Sequence, residues 1–309
     1  MTDCATSRNK EPTRPADAGP TAAPGVFVTD PASSLEPAAS ETVSIGFQRI
    51  EKTAKAGWIR TQFDAVADRY DFMNTLLSGG IHHLWKRTAI RWLAPKPGDR
   101  ILDLCGGTGD LALSAARITG TPSSVVLCDI NRNMMNAGRR KPAGRELRRR
   151  LSWIQGDAEA LPFADNSLDA AMAGFGIRNL TDMDAGLAEI HRVLRPGGVF
   201  VCLEFSRPAT PVFAALYDLY SFYLMPVLGG LITGSRSAYT YLPESIRLFP
   251  DPPALADRLH AAGFRDVDWI RLTDGIAALH RGRKPAGAQD AARQTAFAAP
   301  IPARRMRRK

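Results

Sequence analysis

The sequence predicts an α/β fold built on a seven-stranded, mostly parallel sheet that carries helices on both faces. Apolar runs alternate with helix-compatible stretches between about residues 100 and 205, which is the order of parallel β-α-β units. The first apolar run, 100–105, ends in a glycine-rich turn, and the second, 124–128, stops directly before Asp129. A turn and an acid in this arrangement are typical of a nucleoside-binding, Rossmann-like unit.

The predicted elements follow one another in a regular order. A helical N-terminal region is expected within 43–95, running from about Ile45 to Trp92. Helices are expected at 110–118 and 183–194. The central strands are expected at 100–105, 124–128, 151–155, 168–173 and 199–205. The last two strands, 267–272 and 276–280, should form an antiparallel hairpin at the edge of the sheet.

Composition and charge separate the folded part of the chain from its ends. Of the 309 residues, 45% are hydrophobic, which is enough for one domain of ordinary size plus tails. Residues 1–42 are rich in Ala, Pro, Ser and Thr, lack the apolar core of a secretory signal, and are predicted to be disordered. Residues 286–309 are predicted to be a disordered basic tail, because nine Lys and Arg stand against one acid after residue 280.

The most apolar stretch of the chain is 212–232, whose length is near that of a membrane span. Asp218, Pro226 and the Gly229-Gly230 pair argue against a span. One interpretation is a helix packed over the sheet. The other, compatible with it, is the wall of a hydrophobic substrate cavity with membrane contact, so 206–250 is assigned as an apolar substrate cover.

Further motifs separate a methyl-donor site from a dinucleotide site. Asp129 is followed by the segment 156–169, which ends in a strand, and by Pro196-Gly-Gly198, which leads into another strand. This order resembles the class I S-adenosylmethionine-dependent methyltransferases and implies that cofactor. Asp129 would accept hydrogen bonds from the ribose hydroxyls. The expected cofactor-binding residues are Asp103, Gly107, Thr108, Gly109, Asp129, Asp157, Ala158 and Gly174.

Longer motifs are more specific. Phe63-Asp-Ala-Val-Ala-Asp-Arg-Tyr-Asp-Phe-Met-Asn74, Phe175-Gly-Ile-Arg-Asn179 and Leu203-Glu-Phe-Ser-Arg-Pro208 closely resemble the UbiE/Coq5 family of quinone-biosynthesis C-methyltransferases. The resemblance covers about 46–284. It implies methylation of a ring carbon in a polyprenylated quinol of ubiquinone or menaquinone biosynthesis, or of both. Gly174 departs from the family, which usually has a small residue such as Ser there.

Methylation of a quinol carbon needs a charge stabiliser and a proton acceptor. Arg178 and Asn179 follow the fourth strand of the core, at the edge where such sheets bind ligands. We expect Arg178 to stabilise the developing phenolate, and Asn179 with Asp157 to orient a water that takes the proton. Arg178 as a structural ion-pair partner and Asp157 as a turn former are the alternatives. The expected substrate residues are Tyr70, His82, Tyr220 and Tyr239, with packing as the alternative for His82, and no metal site is expected.

Partners and competing functions follow from the same features. A polyprenylated quinol is the expected substrate, and the basic patch 139–150 and the basic tail suggest contact with an anionic membrane surface. Contact with quinone-synthesis proteins and a homo-oligomeric state are also expected, without nucleic acid. The expected location is cytoplasmic, peripheral to the inner face of the membrane. The alternatives are an RNA methyltransferase, suggested by the basic segments, and a non-catalytic scaffold.

Overall fold

The computed structural model describes residues 41–119 and 124–286, so most of both predicted tails, 1–42 and 286–309, lies outside the described residues. The described strands are β1 (Thr42–Ile45), β2 (Gln48–Glu51), β3 (Arg100–Leu104), β4 (Ser124–Asp129), β5 (Leu151–Gln155), β6 (Leu168–Gly174), β7 (Leu194–Phe205), β8 (Arg265–Leu272) and β9 (Ala277–Arg283).

The described helices surround the larger sheet. They are α1 (Lys52–Asp64), α2 (Tyr70–Ser78), α3 (His82–Leu93), α4 (Asp110–Thr119), α5 (Arg132–Arg140), α6 (Arg145–Arg149), α7 (Met183–Val193), α8 (Pro211–Leu219), α9 (Met225–Thr233), α10 (Arg236–Leu248) and α11 (Pro252–Ala261). A π-helical turn, Tyr220–Leu224, joins α8 to α9.

Seven strands form one sheet in the order β5-β4-β3-β6-β7-β9-β8. The five strands from β5 to β7 are parallel, whereas β9 runs antiparallel to both β7 and β8. The predicted parallel core and terminal hairpin edge are therefore confirmed. Strand β7 begins earlier than expected, because Leu194 already pairs with Leu168 and a register shift follows before Val199.

The sheet is stabilised by apolar packing on both faces. Neighbouring residues on β3 alternate between two cores, with Ile101 in one cluster and Leu102 in the other, and both side chains are fully buried. Each fully buried aliphatic side chain contributes about 1.5–3 kcal/mol of transfer free energy. The central strands are apolar along their length because both faces of the sheet are packed against helices. This is the doubly covered sheet that the sequence predicts.

The N-terminal region is not helical from Ile45, as the sequence suggested. Strands β1 and β2 form an antiparallel hairpin in which Thr42 pairs with Glu51. Gly46 adopts φ +60° in its turn, and the Phe47 amide donates to Glu244 Oε2 on α10 at 3.1 Å. Helical structure begins only at α1, so the first ten residues of the region are held by a contact nearly two hundred positions away.

The apolar stretch forms a helix, as predicted, and most of that helix is exposed. Among the described residues, one helix, Pro211–Thr233, is long and apolar enough to cross a membrane, with a mean hydropathy of 1.4 over its most apolar window. Only 22% of that window is buried. Exposed apolar side chains recur along it at spacings of four or seven residues, namely Val212, Leu219, Tyr223, Val227 and Leu231.

Candidate active site

A cleft of about 1060 Å³ lies at the carboxyl ends of β3, β4 and β6. The glycine turn after β3 lines its base, together with Asp129 at the end of β4 and the segment 156–159 after β5. Helix α1 lines it from outside the sheet. All eight residues expected to bind the cofactor lie in or beside this cleft, and seven of them line it, namely Asp103, Gly107, Thr108, Asp129, Asp157, Ala158 and Gly174.

The glycine turn keeps the chain close to the cleft. Gly107 and Gly109 adopt φ +54° and +78°, a backbone region that L side chains rarely occupy. A Cβ atom at Gly109 would also lie 2.9 Å from Cη2 of Trp153. Gly109 itself does not line the cleft, so its part is to allow the turn that presents Gly107 and Thr108.

Asp129 is the acid at the end of β4. Its Oδ2 accepts a hydrogen bond from the Gly107 amide at 2.8 Å, and its Oδ1 accepts one from the Asn131 amide at 2.7 Å. Burial raises the pKa of Asp129 to about 6, against the lowering effect of these two amides. Asp129 lines the cleft and each of its oxygens can accept a further hydrogen bond, which suits two hydroxyl donors on neighbouring ribose carbons.

Asp103 places a second buried carboxylate in the cleft. Its Oδ2 accepts from the Ala112 amide at 2.8 Å, whereas its Oδ1 is buried without a partner among the described residues. Burial raises the pKa of Asp103 to about 7. An unsatisfied buried acceptor is costly, and the ammonium group at the methionine end of S-adenosylmethionine would satisfy it. The residues of the cleft therefore fit this cofactor.

Asp157, at the expected adenine end of the cleft, and Gly174, at the end of β6, both line the cleft and both have a local structural role. Asp157 Oδ1 accepts from the Glu159 amide at 2.9 Å, so the carboxylate both shapes a turn and lines the cleft beside buried Ala158. Gly174 lines the cleft as expected, and a Cβ atom there would lie 2.6 Å from Leu111 Cδ1. A serine at 174 would require the Leu111 side chain to move. The absence of a side-chain hydroxyl at this position is therefore consistent with the close packing of Leu111 against Gly174.

Thr108 is tied to a group of charged side chains, here called the ionic cluster and defined as Asp71, Lys86, Thr108, Asp110 and Lys141. The Thr108 hydroxyl donates to Asp71 Oδ1 at 2.7 Å and accepts from Lys141 Nζ at 2.8 Å. Lys86 pairs with Asp110 at 2.6 Å. The cluster joins the glycine turn to helices α2 and α3, so the N-terminal region helps to fix the cleft.

A second, largely apolar cavity of about 1400 Å³ adjoins the first. Helices α2, α3, α8 and α10 supply most of its wall. All four residues expected to contact substrate line it, namely Tyr70, His82, Tyr220 and Tyr239. Two of them have structural contacts as well: the Tyr220 hydroxyl donates to the Leu77 carbonyl at 2.7 Å, and His82 Nε2 lies 3.3 Å from Thr75 Oγ1. Burial lowers the pKa of His82 to about 4.

The two cavities meet at three aromatic side chains. Phe63, Tyr70 and Phe175 line both of them. Phe175 follows β6 with φ +62°, an unusual backbone conformation for a bulky residue, and its ring centroid lies 4.3 Å from that of Phe205. Backbone strain of this kind is found at functional sites. A group carried in the cleft and a ring carried in the apolar cavity would meet beside these aromatic rings.

The three residues expected to be catalytic are divided between the cavities. Asn179 and Asp157 line the cofactor cleft, whereas Arg178 lines the apolar cavity. Arg178 pairs with Glu204 at 3.0 Å, and both side chains are nearly inaccessible to water. Burial opposes the charge of Arg178, yet Glu204 raises its pKa overall. Its Nε donor is buried without a partner among the described residues.

Sequence reasoning missed two polar residues of this region. Glu204 Oε1 accepts from the Arg178 backbone amide at 3.2 Å, and its Oε2 accepts from the Arg178 guanidinium at 3.0 Å. The Tyr241 hydroxyl donates to Asn179 Oδ1 at 3.0 Å, which leaves the Asn179 amino group as the donor toward the cleft. Glu204 stands inside the specific motif 203–208, and an acid on a buried strand in the same chain as the 175–179 arginine motif is a usable signal.

Among the residues that the structure describes, no group of three or more His, Cys, Asp or Glu side chains is placed to hold a metal ion. Aromatic, carboxylate, amide and guanidinium groups line the two cavities.

The sheet order, the glycine turn and the acid at the end of β4 define a class I S-adenosylmethionine-dependent methyltransferase. Solved structures share this fold at low sequence identity. The [4+2]-cyclase SpnF superimposes with a TM-score of 0.55 at 19% identity, covering 74% of this chain and 96% of SpnF. A possible histamine N-methyltransferase from Thermotoga maritima superimposes at 0.51 and 18%, covering 72% and 98%.

The chain belongs to the ubiE/COQ5 methyltransferase family, whose model matches residues 50–284. It is 44% identical over 258 residues to the ubiquinone/menaquinone biosynthesis C-methyltransferase UbiE of Stutzerimonas stutzeri, covering 84% of this chain and 100% of that protein. It is 47% identical over 245 residues to UbiE of Bradyrhizobium diazoefficiens, covering 78% and 97%. The family favours a quinone-biosynthesis C-methyltransferase over both alternatives, an RNA methyltransferase and a non-catalytic scaffold.

Proposed function

We propose that this enzyme transfers a methyl group from S-adenosylmethionine to a ring carbon of a polyprenylated quinol, in ubiquinone biosynthesis, menaquinone biosynthesis or both. The observation that carries the proposal is the apolar cavity of about 1400 Å³ that meets the cofactor cleft at Phe63, Tyr70 and Phe175. A prenyl tail needs such a wall, and in-line transfer needs the two ligands held in contact.

When bound, the cofactor supplies an electrophilic methyl group on a sulfonium. The quinol carbon becomes nucleophilic when the neighbouring hydroxyl loses its proton, because the charge spreads from the oxygen to the ring. Arg178 lines the cavity with an Nε donor that has no partner in the described structure. We assign to it the stabilisation of the phenolate oxygen, since a charged donor in a low-dielectric site acts strongly on developing charge.

Arg178 stays protonated and cannot itself be the base. Asn179 presents its amino group toward the cleft, because its oxygen is engaged by Tyr241. Asp157 lines the same cleft. These two side chains would hold a water that accepts the hydroxyl proton. Transfer would form the carbon–carbon bond as the carbon–sulfur bond breaks, and the ring proton would then pass to solvent water, which restores aromaticity.

The direct test is methyl transfer to defined acceptors. Purified enzyme would be incubated with S-adenosylmethionine and either a demethylmenaquinol or a 2-polyprenyl-6-methoxy-1,4-benzoquinol, and the products identified by mass spectrometry. We expect a mass increase of one methylene on the ring of at least one acceptor. Complementation of a bacterial strain lacking quinone methylation checks the same point in the cell. Absence of product from both acceptors, with cofactor binding intact, would overturn the proposal.

We further propose that 206–250 covers the substrate cavity and contacts an anionic membrane surface from the cytoplasmic side. Helix α8 supports both roles, because Phe213 and Tyr217 line the cavity while Val212 and Leu219 face outward. The basic segment 139–150 complements an anionic surface. A homo-oligomeric state and contact with quinone-synthesis proteins belong to the same proposal. Light scattering and co-purification test them.

A further inference from the structure

The methionine end of S-adenosylmethionine carries an ammonium and a carboxylate, so its binding site should offer one group of each sign. The buried, unpaired Oδ1 of Asp103 suits the ammonium. Nothing described so far accounts for the carboxylate. Among the described residues, the Lys and Arg side chains that line the cofactor cleft are Arg60 and Lys86.

Lys86 lies on α3, and its side chain is 11% exposed. A lysine ammonium has three hydrogen-bond donors. The described structure gives Lys86 one acceptor, Asp110 Oδ2 at 2.6 Å. A largely buried ammonium that lines the cleft therefore keeps donor capacity for another negatively charged group.

The second lysine of the ionic cluster provides the contrast. Lys141 Nζ contacts Thr108 Oγ1 at 2.8 Å, Asp71 Oδ2 at 2.7 Å and Asp110 Oδ1 at 2.5 Å, so its three donors are all engaged. It also does not line the cleft. Lys141 thus neutralises the cluster, and Lys86 is the member left with donors toward the cofactor.

Arg60 is at the other end of the cleft. Its side chain is exposed on α1, and its backbone carbonyl accepts from Asn131 Nδ2 at 3.1 Å. The Asn131 amide in turn donates to Asp129, the acid suited to the ribose. Arg60 therefore lies near the ribose position, whereas Lys86 lies beside Asp110 at the end of the glycine turn.

We propose that Lys86 binds the carboxylate of the cofactor's methionine end, opposite the ammonium held by Asp103. Charge-assisted hydrogen bonds from a largely buried ammonium are among the stronger polar contacts in proteins. The role belongs to donor binding, so it depends on the cofactor and not on the identity of the methyl acceptor.

The test compares two donors that differ in one group. S-adenosylmethionine and its decarboxylated analogue share the sulfonium, the nucleoside and the ammonium, and only the first has the carboxylate. Calorimetric titration of the wild-type enzyme should show about tenfold to hundredfold tighter binding of S-adenosylmethionine. In Lys86→Met this preference should fall to about twofold or less, with the affinity for the decarboxylated analogue nearly unchanged.

Arg87→Met is the matched control, because it removes one exposed charge from the neighbouring position of the same helix and should keep the wild-type preference. Arg60→Met tests the rival cation and should also keep it. Equal affinity of the wild-type enzyme for the two donors would overturn the proposal without any variant. So would a preference that survives in Lys86→Met. Neither result would affect methylation of the quinol, which is measured separately.

Discussion

At the scale of single residues, the active site depends on charged groups that are held away from water. Asp103, Asp129 and Glu204 are all buried, and each has at least one backbone amide donating to it. Burial of a charge is costly unless hydrogen bonds or an opposite charge compensate it. The incomplete compensation at Asp103 and at Arg178 Nε therefore marks the positions where a ligand would contribute most.

Asp129 makes cofactor binding dependent on pH. Its ionised form accepts ribose hydroxyls, and its pKa of about 6 means that this form is lost as the pH falls through 6. Titration of S-adenosylhomocysteine from pH 8 to pH 5 should show affinity falling in that range. Asp129→Asn should bind more weakly at pH 8 and lack this transition.

Asp103, whose pKa is about 7, should cause a second pH-dependent change in cofactor affinity, and the Asp129→Asn variant should retain that change. The two acids can therefore be told apart within one set of titrations. A pH profile of Asp129→Asn that matches the wild type through pH 6 would contradict the assignment of Asp129.

Arg178 calls for a variant that removes its charge without leaving Glu204 unpaired, since breaking a buried pair costs about 3–5 kcal/mol. The double variant Arg178→Met with Glu204→Gln meets this need. We expect its kcat to fall about 100- to 1000-fold. Its affinity for cofactor should change little, because Arg178 lines the apolar cavity and not the cleft.

Glu204→Gln alone is the control for that double variant, because it removes the carboxylate and keeps the guanidinium. Because it leaves the buried guanidinium without its carboxylate, it should lose about 3–5 kcal/mol of unfolding free energy, and on protein shown to be folded it should keep a much higher kcat than the double variant. If the double variant and Glu204→Gln had the same kcat on quinol, Arg178 would have no electrostatic part in catalysis and would serve only in packing.

At the scale of elements, the local sequence pattern was enough to predict the strands of the large sheet but not the hairpin of β1 and β2. Apolar runs such as 101–104 are long enough to identify a buried strand. Strands β1 and β2 have four residues each, and the amide after Gly46 is held by Glu244 on α10. Local sequence patterns carry no information about a contact between residues 197 positions apart, so the sequence predicts a helix where the chain forms a hairpin.

The same limit applies to the candidate site. Arg178 and Glu204 stand 26 residues apart in two motifs that were each singled out, yet only the parallel pairing of β6 with β7 brings the two motifs together. The glycine turn and Asp129 were predictable, because their β-α-β unit is local in sequence. The place of Arg178 in the apolar cavity, apart from Asn179 and Asp157 in the cofactor cleft, was not, since four distant helices build the second cavity.

The helix Pro211–Thr233 provides a test of membrane contact that leaves the cavity intact. Leu219 and Tyr223 are 61% and 70% exposed, and neither lines the apolar cavity. Replacing both with Lys should reduce co-sedimentation with vesicles of uncharged phosphatidylcholine at least tenfold, since each side chain contributes apolar burial in the bilayer and an uncharged surface does not attract the added lysines. Turnover of a short-chain, water-soluble quinol should persist.

Ile118→Lys is the matched control for that helix, because Ile118 is 62% exposed on α4, outside the cavity wall. It should sediment with vesicles like the wild type. If the double-lysine variant and the wild type sedimented equally, the helix would not contact the membrane. Its proposed role would then be limited to covering the cavity.

At the scale of the whole molecule, stability should depend on pH through groups outside the active site. His280 on β9 is 1% exposed, its Nε2 lies 2.9 Å from the Pro252 carbonyl, and its Nδ1 has no partner among the described residues. Burial lowers its pKa to about 4. The unfolded chain then binds more protons between pH 6.5 and pH 4, so this residue makes the free energy of unfolding fall as the pH falls through that window.

Two acids act in the opposite direction, because the raised pKa values of Asp103 and Asp129 favour folding as the pH falls from about 7. The effect of His280 is therefore measured as a difference in unfolding free energy between the wild type and a His280 variant. Urea unfolding of the wild type and of His280→Gln, whose amide can still donate to Pro252, should be compared at pH 7.5 and pH 4.5. Relative to the variant, the wild type should lose about 2–3 kcal/mol on acidification. Parallel losses in the two proteins would mean that His280 already titrates normally in the folded state.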